Sequence, residues 1–296
     1  TVSGTVVKFE TNAPVSDSNI YIELTSNTPL TNANFLSYVD SNAYDNTIFH
    51  RSVENFVLQG GGFTAPTVAA DQPSSDPLPI TTTGTVQNEP GNPNVRGTIA
   101  MAKLGGDPDS ATSQFFFNID DNNLDSLGNP GGFLDSDNGG YTVFGDVLGS
   151  GMTAIDLMNN ALTYDASAYY ANTGLDELPL YNRNDDNIVR PNDFLKIENA
   201  DVVTESDLMT YVVSSSDAAK LTASFDGNGD LVLTPNASAS GSVTVTVTAT
   251  SKLDNLSDSQ TFSVTLNGGG PVAPVLTAIE EVGEVALNKN AAGVLF

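Results

Sequence analysis

The chain has 296 residues, with no cysteine, no tryptophan, one histidine, and 10 lysines and arginines against 36 aspartates and glutamates. Each shortage excludes something. Without cysteine there is no disulfide, no thiolate metal site and no cysteine nucleophile, whatever the redox compartment. With His50 alone, a multi-histidine metal site is impossible, and a Ser-His-Asp triad would have to run through that one ring. The formal charge of −26 offers no basic surface to nucleic acid or to an anionic membrane. No run approaches the roughly 18 apolar residues of a spanning helix. Thr1 opens the chain without methionine or an apolar leader, which leaves a removed export signal and a trimmed terminus as two readings.

What is present is β-like. Charged residues make up only 16 %, and the weight of Thr, Ser, Asn, Asp and Gly is that of turn-rich strands; the length suggests about two domains. Residues 5–10 and 19–25 alternate as strands. Pro29-Leu30-Thr31 opens a helix with Ala33, Leu36 and Val39 at helical spacing, Thr31 or Asn32 as its cap, and a stop at Asp45-Asn46. Strand signals follow at 47–53, 55–58, 97–102, 113–119, 141–148 and 194–203, with a short helix at 151–159 carrying Ile155 and Met158 inward. Residues 64–95, 120–140 and 163–192 read as long polar loops. After about residue 204 come five short alternating runs, 208–213, 221–225, 231–234, 242–250 and 260–266, the pattern of a small β-sandwich. Gly268-Gly-Gly-Pro271 reads as a linker, and the tail to Phe296 as too short for a core, or as the opening of a truncated further module.

Four stretches carry chemistry: Thr47-Ile-Phe-His-Arg-Ser-Val-Glu-Asn-Phe-Val-Leu-Gln-Gly-Gly-Gly-Phe63, Gly97-Thr-Ile-Ala-Met-Ala102, Ser110-Ala-Thr-Ser-Gln-Phe-Phe-Phe-Asn118 and Gly140-Tyr-Thr-Val-Phe-Gly145. Period two puts Gln114, Phe116 and Asn118 on one face and Phe115, Phe117 and Ile119 on the other, so one face lines a cleft with a polar handle beside an aromatic. The same alternation pairs Val57 with Gln59, and Phe56 with Leu58. Arg51 is one of four arginines and lies in an otherwise apolar strand, where an unpaired guanidinium is costly. It is either functional or half of a buried ion pair.

In this order and spacing the motifs resemble the cyclophilin family of peptidyl-prolyl cis/trans isomerases, particularly its bacterial branch, over residues 1–203. The resemblance implies a mainly β fold, a closed eight-stranded antiparallel barrel with two capping helices, here followed by a small β-sandwich at 204–267 and a linker and tail at 268–296. It implies Arg51 as catalytic arginine, and Gln59 and Gln114 as the glutamines that hold the substrate backbone and the arginine. Phe56 and Phe116 would form the proline pocket, with Ala102 opening the peptide-binding strand and Tyr141 where members carry an aromatic or a histidine. Val57 stands in place of a methionine common in eukaryotic members. With no tryptophan, the pocket rim falls to Leu134 in one alignment and to Leu124 in another. The loop at 103–109 is longer than usual.

This chemistry needs no metal, cofactor or nucleophile. Turning an X–Pro amide meets a barrier of ~20 kcal/mol from resonance alone. A donor aimed at the prolyl nitrogen lowers it by favouring the twisted amide over either planar isomer, and a permanently charged arginine supplies one. His50 alternates to the other face and reads as structural. Residues 205–267 resemble the immunoglobulin-like or cadherin-like repeats of exported bacterial surface proteins. There Asp226, Asn228 and Asp230 fit either the start of a calcium loop or an ordinary hairpin turn. The expectation is therefore an isomerase acting on Pro-containing polypeptides, extracellular or on a bacterial cell surface, with surface or matrix proteins as partners of the sandwich. The alternative is a non-catalytic proline-peptide-binding or structural subunit of a surface assembly.

Overall fold

The computed structural model describes residues 4–66, 76–125, 127–168, 170, 173–181, 189–253, 256–268 and 275–276. The expected linker beyond Gly268 and the tail, save 275–276, lie outside the described residues, as do stretches of the two expected loops at 67–75 and 182–188. The chain divides into two compact units, Thr1–Thr204 and Glu205–Phe296.

The first unit runs β1 (Val6–Thr11), β2 (Asn19–Leu24), α1 (Pro29–Asp40), β3 (Thr47–Ile48), β4 (Arg51–Val53), β5 (Val57–Gly60), β6 (Phe63–Thr64), β7 (Leu78–Pro79), β8 (Thr98–Met101), β9 (Phe115–Asn118), β10 (Val143–Leu148), α2 (Gly151–Asn159), β11 (Leu162–Tyr164), β12 (Leu178–Leu180) and β13 (Lys196–Val203). It is mainly β, with two helices and one curled sheet in the order β4-β5-β9-β8-β10-β2-β1-β13-β3-β6-β7. The chain passes from β3, paired to β13, straight into β4, paired to β5 at the other end of that order. Phe49 N–H donates to Leu195 O at 2.9 Å and His50 N–H to Gln59 O at 3.0 Å.

The core is aromatic. Phe9, Phe35, Tyr44, Phe115 and Phe144 are all fully buried, with Phe35 4.9 Å from Phe144 and Phe9 5.4 Å from Phe115 between ring centroids. Burying each ring is worth about 1.5–3 kcal/mol, and the Tyr44 hydroxyl is satisfied by donating to Ser113 O at 2.7 Å. Helix α1 turns Thr31, Phe35, Tyr38 and Val39 inward, so its buried face includes Phe35 and leaves Ala33 outside, rotated from the face the spacing suggested. Its cap also differs: Thr28 is the N-cap and Pro29 opens the helix. The free N–H groups of Leu30 and Thr31 are taken by the Glu89 carboxylate at 3.2 and 2.8 Å.

Two expectations about local structure are corrected. The alternation read at 55–58 begins later, because Asn55 adopts a left-handed φ of 55° and the chain turns before β5 starts at Val57. Residues 163–192 are more than a polar loop. There β11 and β12 form a two-stranded sheet, and Ala166, Tyr170, Leu175, Leu178, Leu180 and Val189 bury against Ile48, Phe63 and Phe194 in a second apolar cluster.

The second unit contains α3 (Glu205–Leu208), β14 (Met209–Ser215), β15 (Leu221–Phe225), β16 (Leu231–Pro235), β17 (Ser240–Ser251), β18 (Ser257–Asn267) and β19 (Val275–Leu276). One sheet has the order β14-β17-β18-β19 and a hairpin pairs β15 with β16. Leu221 from the hairpin is buried with Val243, Val245, Val264 and Leu266 from the larger sheet. At the β15–β16 turn, Asp226 Oδ1 accepts the N–H groups of Asn228 at 2.8 Å and Asp230 at 3.0 Å. That carboxylate oxygen already has protein partners. Calcium chelation is therefore expected to leave the melting transition of this unit unchanged by calorimetry; a drop of several degrees would identify the turn as a calcium loop.

His50, at the passage from β3 to β4, is buried with its ring edge-on to Phe63, centroids 5.0 Å apart. Burial pushes its pKa down to about 4, more than the acceptors offered by the Gln114 side chain and the Ile48 backbone raise it. The unfolded chain thus takes up a proton below pH ~6.5 that the folded chain refuses until ~4. Stability from this residue is intact above ~6.5, falls as the pH drops toward ~4, by up to ~3 kcal/mol, and is level below that. In paired melts between pH 7 and 4.5, His50→Gln should show a flatter decline than the wild type. Parallel profiles would refute the assignment.

Candidate active site

Antiparallel pairing places a row of residues side by side across five strands. Arg51 on β4 lies opposite Gln59 on β5, Gln59 opposite Phe116 on β9, Phe116 opposite Ala100 on β8, and Ala100 opposite Val143 on β10. Directly opposed residues share a face, so the arginine, a glutamine and the pocket aromatic line up within one cleft. Gln59 Nε2 donates to Gln114 Oε1 at 2.9 Å, joining the two glutamines. The glycines that follow Gln59 make room for this. A Cβ on Gly62 would lie 3.0 Å from Gln114 Cδ, and one on Gly61, where φ is +73°, would lie 2.7 Å from Ser113 O.

The floor is apolar. Val57, Ala100, Phe116, Leu134 and Val143 are buried together, with Val53, Phe56, Ala102 and Tyr141 partly buried against them. Of the residues singled out by sequence, Phe56, Val57, Ala102, Phe116, Leu134 and Tyr141 are therefore brought together, and Arg51 and Gln59 stand at one end of the row, with Gln114 joined to it through Gln59. Phe56 does not share a face with Leu58, as simple alternation had it. The turn at Asn55 delivers it beside Val57, while Leu58 enters the main core. Leu134 is 5 % exposed, whereas Leu124, the competing rim residue, is 39 % exposed. Ala102 N–H donates to Gln114 O at 2.9 Å, tying the chain just past β8 to the glutamine's backbone.

At the rim, Tyr141 meets Phe116 edge-on, centroids 5.8 Å apart, and Lys103 Nζ lies 4.7 Å above its ring. Lys103 donates to Asn138 O at 2.8 Å and Gly140 O at 2.6 Å. Burial lowers the Lys103 pKa against the pull of Asp109 and Asp137, and burial raises that of Tyr141.

Three features escaped the sequence reading. Phe133, 47 % exposed, adopts φ +45° and lies 5.4 Å from the Phe56 ring, an aromatic wall in a chain without tryptophan. Its signal was the Gly131-Gly132 pair before it, inside the stretch 120–140 read as a long polar loop. A network of buried asparagines fixes the pocket's frame: Asn122 Nδ2 donates to Phe56 O and to Asn118 Oδ1, both at 2.8 Å, and Asn118 Nδ2 donates to Thr98 Oγ1 at 2.8 Å. Asn94 donates to Asp135 Oδ1 and to Tyr141 O. The third feature is Glu177, whose Oε2 is ion-paired with Arg51 Nε at 2.8 Å. This pair is partly exposed, 32 % and 37 % by side chain, so the buried ion pair considered for Arg51 is replaced by a solvent-screened one.

Residues 6–176 match the family described as cyclophilin type peptidyl-prolyl cis-trans isomerase/CLD. A peptidyl-prolyl cis-trans isomerase of Acinetobacter baylyi is 41 % identical over 167 residues, 55 % of this chain and 76 % of its own length. Peptidyl-prolyl cis-trans isomerase B of Escherichia coli is 39 % identical over 137 residues, 46 % of this chain and 74 % of its own. A solved cyclophilin type isomerase of Cryptosporidium parvum, crystallised in the presence of the dipeptide Ala-Pro, is 22 % identical with a TM-score of 0.43, covering 68 % of this chain and 99 % of its own. With a match across more than half its length, the row from Arg51 to Val143 included, this chain belongs to the cyclophilin type peptidyl-prolyl cis-trans isomerase family.

Proposed function

We propose that the chain isomerises X–Pro bonds in other polypeptides, with Arg51 as the donor to the prolyl amide. The observation that carries this reading is the alignment of Arg51 and Gln59 with Phe116, Ala100 and Val143 in one cross-strand row. The proline ring rests in the apolar floor of Phe56, Val57, Phe116 and Leu134, with Ala102 and Tyr141 along the peptide's path. Gln59 and Gln114 hold the substrate backbone. As the amide twists, its nitrogen lone pair leaves the π system and becomes an acceptor; a charged N–H held above it favours that state over either planar isomer. The geometry needs no bond to break, hence no nucleophile or metal.

The finer architecture belongs to the same reading. We take the sheet to close as an eight-stranded barrel, supported by hydrogen bonding of the 47–53 segment to β13 through Phe49 and to β5 through His50. We take 1–203 as the isomerase domain and 204–267 as an immunoglobulin-like β-sandwich, supported by apolar residues shared between its hairpin and its larger sheet. The acidic composition and the repeat-like second unit support an extracellular or cell-surface setting, with surface or matrix proteins as partners of that unit.

Arg51→Ala should lower kcat/KM on an X–Pro peptide by roughly 10²–10³, about 3–4 kcal/mol, with peptide affinity changed far less. Arg51→Lys should recover little, since a flexible point charge lacks the planar fork. Melting should hardly move, because an ion pair this exposed is worth ~0–1 kcal/mol. Protease-coupled turnover and melting on the same variant check this; normal melting with wild-type turnover would sink the assignment. Peptide binding without acceleration by the wild type would favour a proline-peptide-binding module instead.

A further inference from the structure

Arg51 is held from a side that none of its motif partners occupies. Gln59 stands opposite it on β5, and the cleft opens toward Phe116, but its Nε is ion-paired with Glu177 Oε2 at 2.8 Å. The backbone carbonyl of Glu177 also accepts the N–H of Ser52 at 2.9 Å. One residue thus fixes both the strand that carries the arginine and the base of its guanidinium. Its own position is fixed in turn. Leu175 and Leu178, on either side, are fully buried in the cluster with Ile48, Phe63 and Phe194. Glu177 lies just past residue 176, where the family match ends.

A guanidinium has five N–H donors on a flexible stem, and its value as a donor depends on where the fork points. A carboxylate paired against Nε sits at the base of the fork and leaves the four N–H groups of the terminal nitrogens for the cleft. Solvent screens the pair, so its main contribution is geometric rather than to stability. We infer that Glu177 is a positioning residue for Arg51, aiming its terminal N–H groups at the prolyl amide; this rests on the assignment of Arg51 made above. Charge taken alone argues for the opposite sign. A carboxylate beside the arginine drains positive potential from the cleft, so an arginine acting only as a charge would work better without it.

The test is kcat and KM on an X–Pro peptide for the full chain and for Glu177→Ala, Glu177→Gln, Arg51→Ala and the double alanine variant. Glu177→Ala should lower kcat/KM about tenfold, carried by kcat with KM within twofold, and melt within ~2 °C of the wild type. Glu177→Gln, which keeps an acceptor at the same reach, should return to within threefold of wild type. In the Arg51→Ala background, removing Glu177 should change kcat/KM less than twofold. A Glu177→Ala variant at or above the wild-type rate, or a tenfold loss that persists without Arg51, overturns the inference. Should Glu177→Ala melt early, Glu177→Asp decides, since it keeps the charge but shortens the reach: kcat lowered at least threefold with normal melting and KM within twofold supports the inference, and a wild-type kcat overturns it. Arg51→Ala at wild-type rate would instead remove the arginine's own assignment.

Discussion

The cleft depends on the pairing register of five antiparallel strands. Arg51, Gln59, Phe116, Ala100 and Val143 are far apart in the chain and adjacent only because β4, β5, β9, β8 and β10 pair as they do. A slip of one residue in β9 would turn Phe115 and Phe117 out of the aromatic core and Phe116 into it, reversing cleft and core together. The core enforces the register that the site requires. Phe115 packs against Phe9, Phe35 and Tyr44, and Phe117 against Phe49, so the same strand pays for its functional face with its buried one.

The division of faces was readable in the sequence because period two is a strong signal in a run as apolar as Phe115-Phe-Phe117. Gln114 stands immediately before the apolar run and marks the cleft side. Helix α2 was readable for a similar reason, since Ile155 and Met158 are its inward residues at helical spacing. The exact faces at Phe56 and in α1 were less legible. A single left-handed residue, Asn55, shifts the alternation at the first; at the second, Glu89 from a distant loop supplies the cap that local sequence could not display.

What stayed hidden was non-local. Asn94, Asn118 and Asn122 look like turn residues in a chain rich in asparagine, and only the fold reveals that they bond to each other and to the backbone of Phe56 and Tyr141. Phe133 and Glu177 lie in segments whose polar composition conceals a fixed position. In the segment around Glu177, Leu175, Leu178 and Leu180 are too few and too irregular to announce a second core, yet with Ile48, Phe63 and Phe194 they make one. The motifs carry the residues of the apolar floor, and only the packing carries what holds them.

The asparagine frame has a consequence for how this acidic molecule meets changes in salt. A chain of formal charge −26 repels itself, more so as ionic strength falls. Where its carboxylates face each other, as with Asp146 opposite Glu23 across β10 and β2, burial and that neighbour push the Asp146 pKa up. Around the pocket most of the bonding is between neutral amides, hydroxyls and backbone groups, with Asp135 as the charged member described. Neutral hydrogen bonds are little affected by counterion screening. The shape of the cleft is thereby decoupled from the electrostatic strain of the surface, and dilution of salt acts on the molecule's cohesion before it acts on the geometry of the apolar floor.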